Sequence, residues 1–468
     1  MPPETALLQA IVSGITTGSM IALGAIGLAM VYSIAEVPNF AHGDLLMMGA
    51  YTALLINTPG AVPLLDNLAE GAQEPTTAGL AVLFVLGTGA TLGMFYALGG
   101  GEALRGSWWP VDAPDAVAVV VHLLAAAVVG VVSSLGATSF LAAMVFSGVV
   151  LAALAPIQER YVFRKFRQRD VSLAMMLVVS LAVAFVLRFG VQTIFGGTTR
   201  SYEIQSTVEV FGAEIKVAIV KFIDVYVSSS GVLVQITDPA EDVMLFNNLW
   251  SWPVFAVVLL ASLAVGYAGY RYRLGTRAIL GPYLLGTILA LATFFAGALV
   301  LGASVSAPES ALVDSRVRLS VLRLFIILLA IGMMGALHAA LRATKLGKAM
   351  RATSDNRDLA QVRGINVDQV TMGVWVIAGL YAGIGGTALG FLFGALTITL
   401  GFFLLLPMFA AVILGGITIY GALLGSYVVG LSMEVGLFAT GLDATYRVPM
   451  AFVVLILVLI AKPEGLTG

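Results

Sequence analysis

Long hydrophobic runs recur along most of the chain, and short segments rich in polar and charged residues separate them. A bilayer core of about 30 Å takes about 20 helical residues, so each such run predicts one membrane-spanning helix. The clear runs lie at about 8–33, 78–98, 117–133, 138–156, 171–195, 252–270, 279–303, 319–341, 371–396 and 446–462. The pattern predicts an all-α, polytopic integral membrane protein with about 10–12 transmembrane helices.

Two further apolar segments, 41–57 and 403–439, are ambiguous. The first is short and opens with polar residues, so it is either a half-helix that enters from one side or a short full span. The second contains Gly415, Gly416 and Gly421, which predicts either a helix broken within the membrane or a tight turn between two helices.

The composition supports a membrane location and excludes several classes of protein. Of the 468 residues, 59% are hydrophobic and 11% are charged, whereas soluble proteins carry about 25% charged residues. We therefore expect a multi-pass protein of the cell membrane, surrounded by lipid. A formal net charge of -2 argues against nucleic-acid binding, and the absence of cysteine excludes disulfides and thiolate metal sites. The histidines His42, His122 and His338 lack ligand spacing, so we expect no metal site.

The distribution of charge predicts the orientation in the membrane. Arginines and lysines concentrate in 158–170, 271–277 and 342–363, and such loops are retained in the cytoplasm. The segments 60–77 and 203–242 are acidic instead, so we expect them outside the cell.

The predicted extracytoplasmic segment, 199–250, has a different periodicity from the spans. Apolar and polar residues alternate between Val232 and Ile236, which predicts a small β-hairpin or an irregular outer cap. Arg316 and Arg318 are exceptions to the charge rule, because they lie in a short loop that is also expected outside.

A polar cluster lies at the start of the ambiguous segment 41–57 and contains Asn39, His42, Gly43 and Asp44. Ionisable groups near hydrocarbon are costly unless they are paired or hydrated, so the cluster is a candidate translocation path or gate. A half-helix N-terminus there would also favour an anionic carboxylate. The alternative is a connecting loop in which Asp44 caps a helix. A membrane enzyme with His42 and Asp44 as acid and base would lack a nucleophile or a metal cluster.

Glycines recur at helical spacing in the run 371–396, at Gly379, Gly383, Gly386, Gly390 and Gly394. Small residues on one helix face let two backbones approach closely, which predicts helix packing. A sliding or gating contact is the alternative.

The basic segment within 342–370 predicts two short amphipathic helices on the cytoplasmic side. We expect the first to end near Thr353, and Asp355 to cap a second helix that Gly364 terminates. The apolar residues Leu346, Met350, Leu359, Val362 and Ile365 would be available to a partner protein. The residues that we assign to docking are Gly347, Lys348, Arg351, Asp355, Arg363 and Gly364.

The sequence offers little for energy coupling within this chain. No G-x-x-x-x-G-K-[ST] phosphate loop occurs, the nearest segment being Gly347-Lys348-Ala349, so we expect no ATPase site. Glu434 is the one carboxylate well inside the late spans. It would support an alternative function, that of an ion-coupled secondary transporter of a small polar solute.

Several motifs together resemble one family. They are Gly14-Ile-Thr-Thr-Gly-Ser-Met, Pro38-Asn-Phe-Ala-His-Gly-Asp44, Met48-Gly-Ala-Tyr51, Gly347-Lys-Ala-Met-Arg-Ala352, Gly364-Ile-Asn-Val367, Ala410-Ala-Val-Ile-Leu-Gly-Gly416 and Lys462-Pro-Glu-Gly-Leu466. In this order they resemble the permease subunits of branched-chain amino acid ABC transporters, of the LivH type. The resemblance covers 7–57, 156–205 and 318–468, and the extra length lies at 60–150 and 206–310, which look like insertions with extra spans.

The resemblance implies a membrane-embedded subunit of an importer. Its partners would be cytoplasmic ATP-binding subunits, a second permease subunit and an extracytoplasmic solute-binding protein. The chain itself would bind no cofactor, since ATP would be hydrolysed on the partner subunits. The loop within 342–370 would be the coupling element. The solute would be a branched-chain or other small amino acid, and related permeases carry urea or short amides.

Overall fold

The structure is a computed structural model that describes residues 3–63, 68, 75–98, 115–135, 139–169, 171–203, 207–210, 213–216, 221–228, 231–238, 243–274, 282–301, 303–304 and 315–462. Within these ranges, nine helices are long and apolar enough to cross a membrane. Every one of the clear hydrophobic runs contains a helix, which confirms the predicted polytopic helical fold. Most of the acidic segment 60–77, part of 271–277 and the last motif residues 463–466 lie outside the described ranges.

Helices form most of the described part of the chain, and the strands lie between Thr207 and Ser320. The helices are α1 (Pro3–Ala35), α2 (His42–Asn57), α3 (Thr77–Ala97), α4 (Asp115–Leu135), α5 (Phe140–Gln158), α6 (Arg164–Arg167), α7 (Leu173–Phe195), α8 (Trp252–Leu274), α9 (Pro282–Leu301), α10 (Val321–Ala343), α11 (Lys345–Asp355), α12 (Arg357–Val362), α13 (Val367–Phe393), α14 (Leu400–Leu414), α15 (Ile419–Thr440) and α16 (Arg447–Ala461). A π-helical turn, Glu159–Phe163, joins α5 to α6, so that the two form one apolar span. The strands are β1 (Thr207–Val210), β2 (Ala213–Lys216), β3 (Phe222–Ser228), β4 (Gly231–Asp238), β5 (Val243–Ser251), β6 (Ala303–Ser304) and β7 (Ser315–Ser320).

The chain divides into two compact units. One comprises Met1–Ser13 and Lys216–Ala339, and the other comprises Gly14–Ile215 and Ala340–Gly468. The second unit contains the polar cluster, the spaced glycines and the two amphipathic helices that the sequence singles out.

The first unit contains an antiparallel sheet of five strands in the order β6-β5-β4-β3-β7. The β3–β4 hairpin confirms the alternation predicted in the outer segment, and Val225 lies opposite Val234 in its register. The sequence pattern did not reveal the two strands β5 and β7 that extend this hairpin on either side.

The sheet also accounts for the unexpected arginine at 318. Arg318 lies directly opposite Asp224 in the β3–β7 register. Its Nε and Nη2 atoms donate to the two carboxylate oxygens of Asp224 at 2.9 and 3.1 Å. Because Asp224 neutralises it, Arg318 adds no net positive charge to this segment.

The core of the second unit is the junction of α2, α5 and α13. The Ser147 hydroxyl of α5 donates to the carbonyl of Gly49 in α2 at 2.7 Å and to that of Gly383 in α13 at 3.0 Å. A Cβ atom at Gly386 would lie 1.9 Å from the Leu46 carbonyl oxygen, and one at Gly379 would lie 2.2 Å from the Leu151 carbonyl oxygen. The backbones of the three helices therefore touch where glycine leaves room.

The other two spaced glycines lie towards the end of α13. A Cβ atom at Gly390 would lie 2.5 Å from the Tyr202 ring, which itself stacks on Phe391 with centroids 4.1 Å apart. Gly394 follows the helix with a φ of 66°, and no atom lies within 4 Å of the position a Cβ would take. It ends α13 in a left-handed conformation that suits glycine.

The ambiguous segment 403–439 forms two helices joined by a tight turn, which was the second of the two alternatives. Gly416 and Ile417 both have positive φ values, 66° and 57°. Thr418 then caps α15 by accepting a hydrogen bond from the Gly421 amide at 3.0 Å.

Three contacts show which connecting segments of the second unit lie at the same end of its helices. Arg167, at the end of the α5–α6 span, donates to the carbonyl of Ala35 at the end of α1 with a length of 3.2 Å. Arg164 forms an ion pair with Asp368 in the first turn of α13. The two basic segments 158–170 and 342–363 therefore lie on one side, as their shared charge predicts. On the other side, the Asn57 side chain exchanges two 3.0 Å hydrogen bonds with the backbone of Glu203.

Candidate functional site

The N-terminus of α2 lies beside a point inside the neighbouring helix α7, rather than beside an end of that helix. The Phe40 amide, just before α2, donates to the Ser180 hydroxyl at 3.1 Å. At a rise of 1.5 Å per residue, Ser180 lies about 10 Å along α7 from its first residue, Leu173. The 16 residues of α2 span about 24 Å, so α2 is a short helix. We call its polar N-terminal end, from Asn39 to Asp44, the polar entrance, and Asn39, His42 and Asp44 are buried there.

Asn39 and His42 line that entrance, and both are fully buried. The Asn39 side-chain oxygen accepts from the Ala41 amide at 3.0 Å, and His42 Nε2 lies 2.9 Å from the Gly24 carbonyl oxygen. A carbonyl can only accept, so Nε2 carries the proton. The other polar atoms of these side chains, Asn39 Nδ2 and His42 Nδ1, have no hydrogen-bond partner within the described ranges.

Gly43 provides the space that this entrance requires. A Cβ atom at Gly43 would lie 2.6 Å from the Gly401 carbonyl oxygen, and one at Gly401 would lie 1.7 Å from the Gly43 carbonyl oxygen. The first turns of α2 and α14 thus meet backbone to backbone, so we regard Gly43 as a packing residue of the entrance.

Asp44 pairs with an arginine that the sequence analysis did not single out. Arg188, in α7, donates from Nε and Nη2 to the two carboxylate oxygens of Asp44 at 2.9 and 3.1 Å. The capping alternative for Asp44 is wrong, because the N-cap position is Ala41 and no side chain caps α2. The available signal was a single arginine within the apolar run 171–195, since a charge inside a span usually has a partner or a function.

Aromatic rings surround the Arg188 guanidinium. Its Cζ atom lies 5.1 Å from the Phe402 ring centroid and 5.7 Å from that of Phe185. Such rings stabilise a cation that has left water. The ion pair therefore connects α2, α7 and α14 at one point.

Glu434, the carboxylate that the sequence places inside a late span, is also paired. It accepts a 3.1 Å hydrogen bond from the Thr17 hydroxyl and forms a 3.0 Å ion pair with Arg447 at the start of α16. Its charge is thus compensated by an arginine and a hydroxyl.

The two amphipathic helices at the basic side are present, with one correction to their boundary. The first, α11, continues to Asp355, and Asn356 rather than Asp355 caps α12 by accepting from the Leu359 amide at 2.8 Å. The amide side chain allows this because Asn is as good an N-cap as Asp. Gly364, with a φ of 83°, terminates α12 as predicted.

The apolar residues of this helix pair divide into a buried and an exposed set. Leu346 and Met350 of α11 are buried, and both side chains lie against Gly373 of α13. The expectation that they are available to a partner protein is therefore wrong. Leu359 and Val362 of α12 are instead 54% and 83% exposed. These two side chains form an apolar patch on the basic side.

The residues assigned to docking are exposed like this patch, with one exception. Lys348, Arg351, Asp355, Arg363 and Gly364 are exposed. Gly347 is buried, and its missing Cβ would lie 2.3 Å from the Ala340 carbonyl oxygen. Gly347 therefore lets α11 pack against the end of α10, and the exposed surface is formed by its neighbours.

Comparison with known proteins assigns the chain to a family. The family described as "Branched-chain amino acid transport system / permease component" matches residues 10–100 and 240–460. The match leaves out 101–239 but includes 60–100 and 240–310, so the insertions at 60–150 and 206–310 stay a prediction. No solved structure matches the chain.

Named relatives match shorter stretches. A probable branched-chain amino acid transport permease protein LivH of Methanocaldococcus jannaschii is 35% identical over 150 residues, covering 31% of this chain and 46% of the relative. The high-affinity branched-chain amino acid transport system permease protein LivH of Escherichia coli is 34% identical over 134 residues, covering 28% and 43%. A fructose import permease protein, FrcC of Rhizobium meliloti, is 29% identical over 110 residues, covering 22% and 30%.

The matched stretch spans less than half the length of each of these relatives. The family match, in contrast, covers more than half of the chain and includes α2, α12 and α13. It fits the polytopic helical fold and the order of the sequence motifs. This chain is therefore a multi-pass membrane protein that belongs to the branched-chain amino acid transport system permease family.

Proposed function

We propose that the chain is the transmembrane permease subunit of an ABC importer of the cell membrane, for branched-chain or other small amino acids. It moves solute that an extracytoplasmic binding protein delivers. ATP is hydrolysed on separate cytoplasmic subunits, and a second permease subunit completes the membrane part. This chain has no ATPase site of its own and binds no cofactor.

The exposed patch of Leu359 and Val362 is the observation that carries this proposal. A short helix with exposed apolar residues fits the helix-in-groove mode of recognition, in which an apolar face enters a groove on a partner. The charged residues around it would form the polar rim of such an interface. A partner that closes on ATP could move α12 and, through it, the helix α13 that follows.

The connection from this patch to the buried entrance is short. After α12, Asn366 caps α13 by accepting from the Gln369 amide at 3.1 Å, so the two helices are joined by a defined turn. The helix α13 then contacts α2 at Gly386. A displacement of α12 would therefore reach α2 through one rigid helix, as a rigid-body transition requires.

The solute is proposed from the family and from the two relatives named as branched-chain amino acid permeases. The relative named as a fructose import permease shows that a similar sequence occurs in a sugar permease, so the same class could carry another small solute.

The test is copurification of the tagged chain from its native membrane, followed by identification of bound proteins and an ATPase assay. We expect P-loop ATPases in the wild-type sample. Val362→Asp should reduce them by at least about tenfold, because a charge replaces a central apolar contact. Gln361→Glu, on the same short helix, is the matched control and should retain them. Arg351→Ala and Asp355→Ala test the rim.

Full recovery of the ATPases with Val362→Asp would contradict the docking assignment. A wild-type chain that copurifies with no ATPase would contradict the importer and favour the ion-coupled alternative.

A further inference from the structure

Arg188 carries a charge deep within an apolar helix. It lies about 22 Å along α7 from Leu173 and about 10 Å from Phe195, at 1.5 Å per residue. The surrounding residues Phe185, Val186 and Phe189 are exposed side chains of the same helix. A charged group at such a position is costly and is retained where it has a function.

The guanidinium is only half satisfied. Asp44 is fully buried and occupies the Nε and Nη2 edge. The Arg188 side chain remains 13% exposed, and its Nη1 makes no hydrogen bond within the described part of the chain. Asp44 fixes the position of the fork, and one cationic edge remains open.

An open cationic N–H edge in hydrocarbon needs a polar partner, because a charged donor without one is strongly unfavourable there. The surroundings restrict what that partner can be. Phe185 and Phe402 lie against the guanidinium and are 45% and 40% exposed. An open guanidinium edge, held by Asp44 and bordered by apolar rings, suits a small ligand that presents a carboxylate next to an apolar body.

We propose that the open edge of Arg188 receives the carboxylate of the amino acid as it crosses the membrane, while Asp44 acts as a positioning residue. This inference rests on the proposed importer function and assigns the position at which the solute carboxylate is held. The apolar side chain of the solute contacts the rings of Phe185 and Phe402. A charge-assisted hydrogen bond to a carboxylate is about twice as strong as a neutral one, so amides, urea and sugars are disfavoured at this position.

The protein contains a second arginine with the same geometry, which provides a matched control. Arg318 donates from Nε and Nη2 to Asp224 at 2.9 and 3.1 Å, and its Cζ lies 5.1 Å from the Phe222 ring centroid. It belongs to the sheet rather than to a spanning helix. Replacing each arginine by lysine removes the planar fork and keeps the charge.

The experiment uses the complete importer in proteoliposomes with saturating leucine-loaded binding protein. Leucine import and ATP hydrolysis are measured for the wild type, Arg188→Lys and Arg318→Lys. We expect Arg188→Lys to lower the leucine imported per ATP hydrolysed by at least about tenfold, the value of one charge-assisted hydrogen bond. ATP hydrolysis and subunit copurification should stay within about twofold of the wild type. Arg318→Lys should leave all three quantities unchanged.

The leucine-to-ATP ratio separates recognition from folding. A wild-type ratio in Arg188→Lys would overturn the inference. Joint loss of assembly, hydrolysis and import would assign the pair to folding alone and overturn it as well. So would an equal loss of the ratio in Arg318→Lys. An importer that hydrolyses ATP but carries a neutral solute in place of leucine would overturn the carboxylate assignment and leave the importer intact. Absence of ATPase subunits from the wild-type preparation would refute the proposed function itself.

Discussion

Replacing Gly386 by alanine tests whether the contact between α2 and α13 holds the second unit together. The new Cβ atom would lie 1.9 Å from the Leu46 carbonyl oxygen and 2.8 Å from its carbonyl carbon. A carbon atom normally approaches a carbonyl oxygen to about 3.3 Å, so the Cβ atom and the oxygen must move apart by about 1.4 Å. The obstacle is backbone, which has no rotamer to move away.

The free energy of unfolding should fall by a moderate amount. Overpacking of a tight core costs about 1–3 kcal/mol. Alanine regains about 1 kcal/mol because it favours a helix more than glycine does. Separation of α2 and α13 would also lengthen the 2.7 and 3.0 Å bonds from Ser147 to both helices. We expect a net loss of about 1–2 kcal/mol.

The assay is thermal unfolding in detergent, followed by size-exclusion chromatography with fluorescence detection. The predicted loss lowers the Tm by about 2–8 °C, at 2–4 °C per kcal/mol. Gly190→Ala is the matched control, since Gly190 is also helical, in α7, and nothing lies within 4 Å of its Cβ position. It should leave the Tm unchanged or raise it. A Tm for Gly386→Ala at or above that of the wild type would refute the packing argument.

Two further predictions concern coupling. Asn356→Ala should remove the cap of α12, destabilise that helix by about 1 kcal/mol and weaken ATPase copurification. Asn356→Asp should retain the cap and the copurification. Equal copurification by the two variants would show that docking does not depend on the cap. Glu434→Gln should keep ATP-driven uptake within about twofold, because Arg447 and Thr17 already occupy the carboxylate. Uptake that becomes independent of a proton gradient and falls more than tenfold in this variant would instead favour the ion-coupled alternative.

The sequence was sufficient for the helical spans, for the β3–β4 hairpin and for the end of α12 at Gly364. Each of these depends on residues near one another in the chain. Lipid demands an apolar stretch of about 20 residues wherever the chain crosses, and a glycine in a left-handed conformation ends a helix locally. Such rules need no knowledge of what packs against the segment.

The cap of α12 and the apolar set of α11 were less predictable. Asp355 and Asn356 are adjacent and have similar capping preference, so the choice depended on where α11 ended. Leu346 and Met350 have the same pattern as exposed docking residues would have. Their burial depends on Gly373 of α13, whose missing side chain leaves space for them.

By itself, the sequence determined where the apolar helices lie, the polar cluster at Asn39 to Asp44 and the family. Only the tertiary structure joined Asp44 to Arg188, which lies 144 residues away, and Arg318 to Asp224 across two strands. A charged residue within an apolar run indicates that a partner exists, because the desolvation of an unpaired charge is costly. The identity of that partner depends on which helices pack together. Packing, and with it the open edge of Arg188, was decided by the fold.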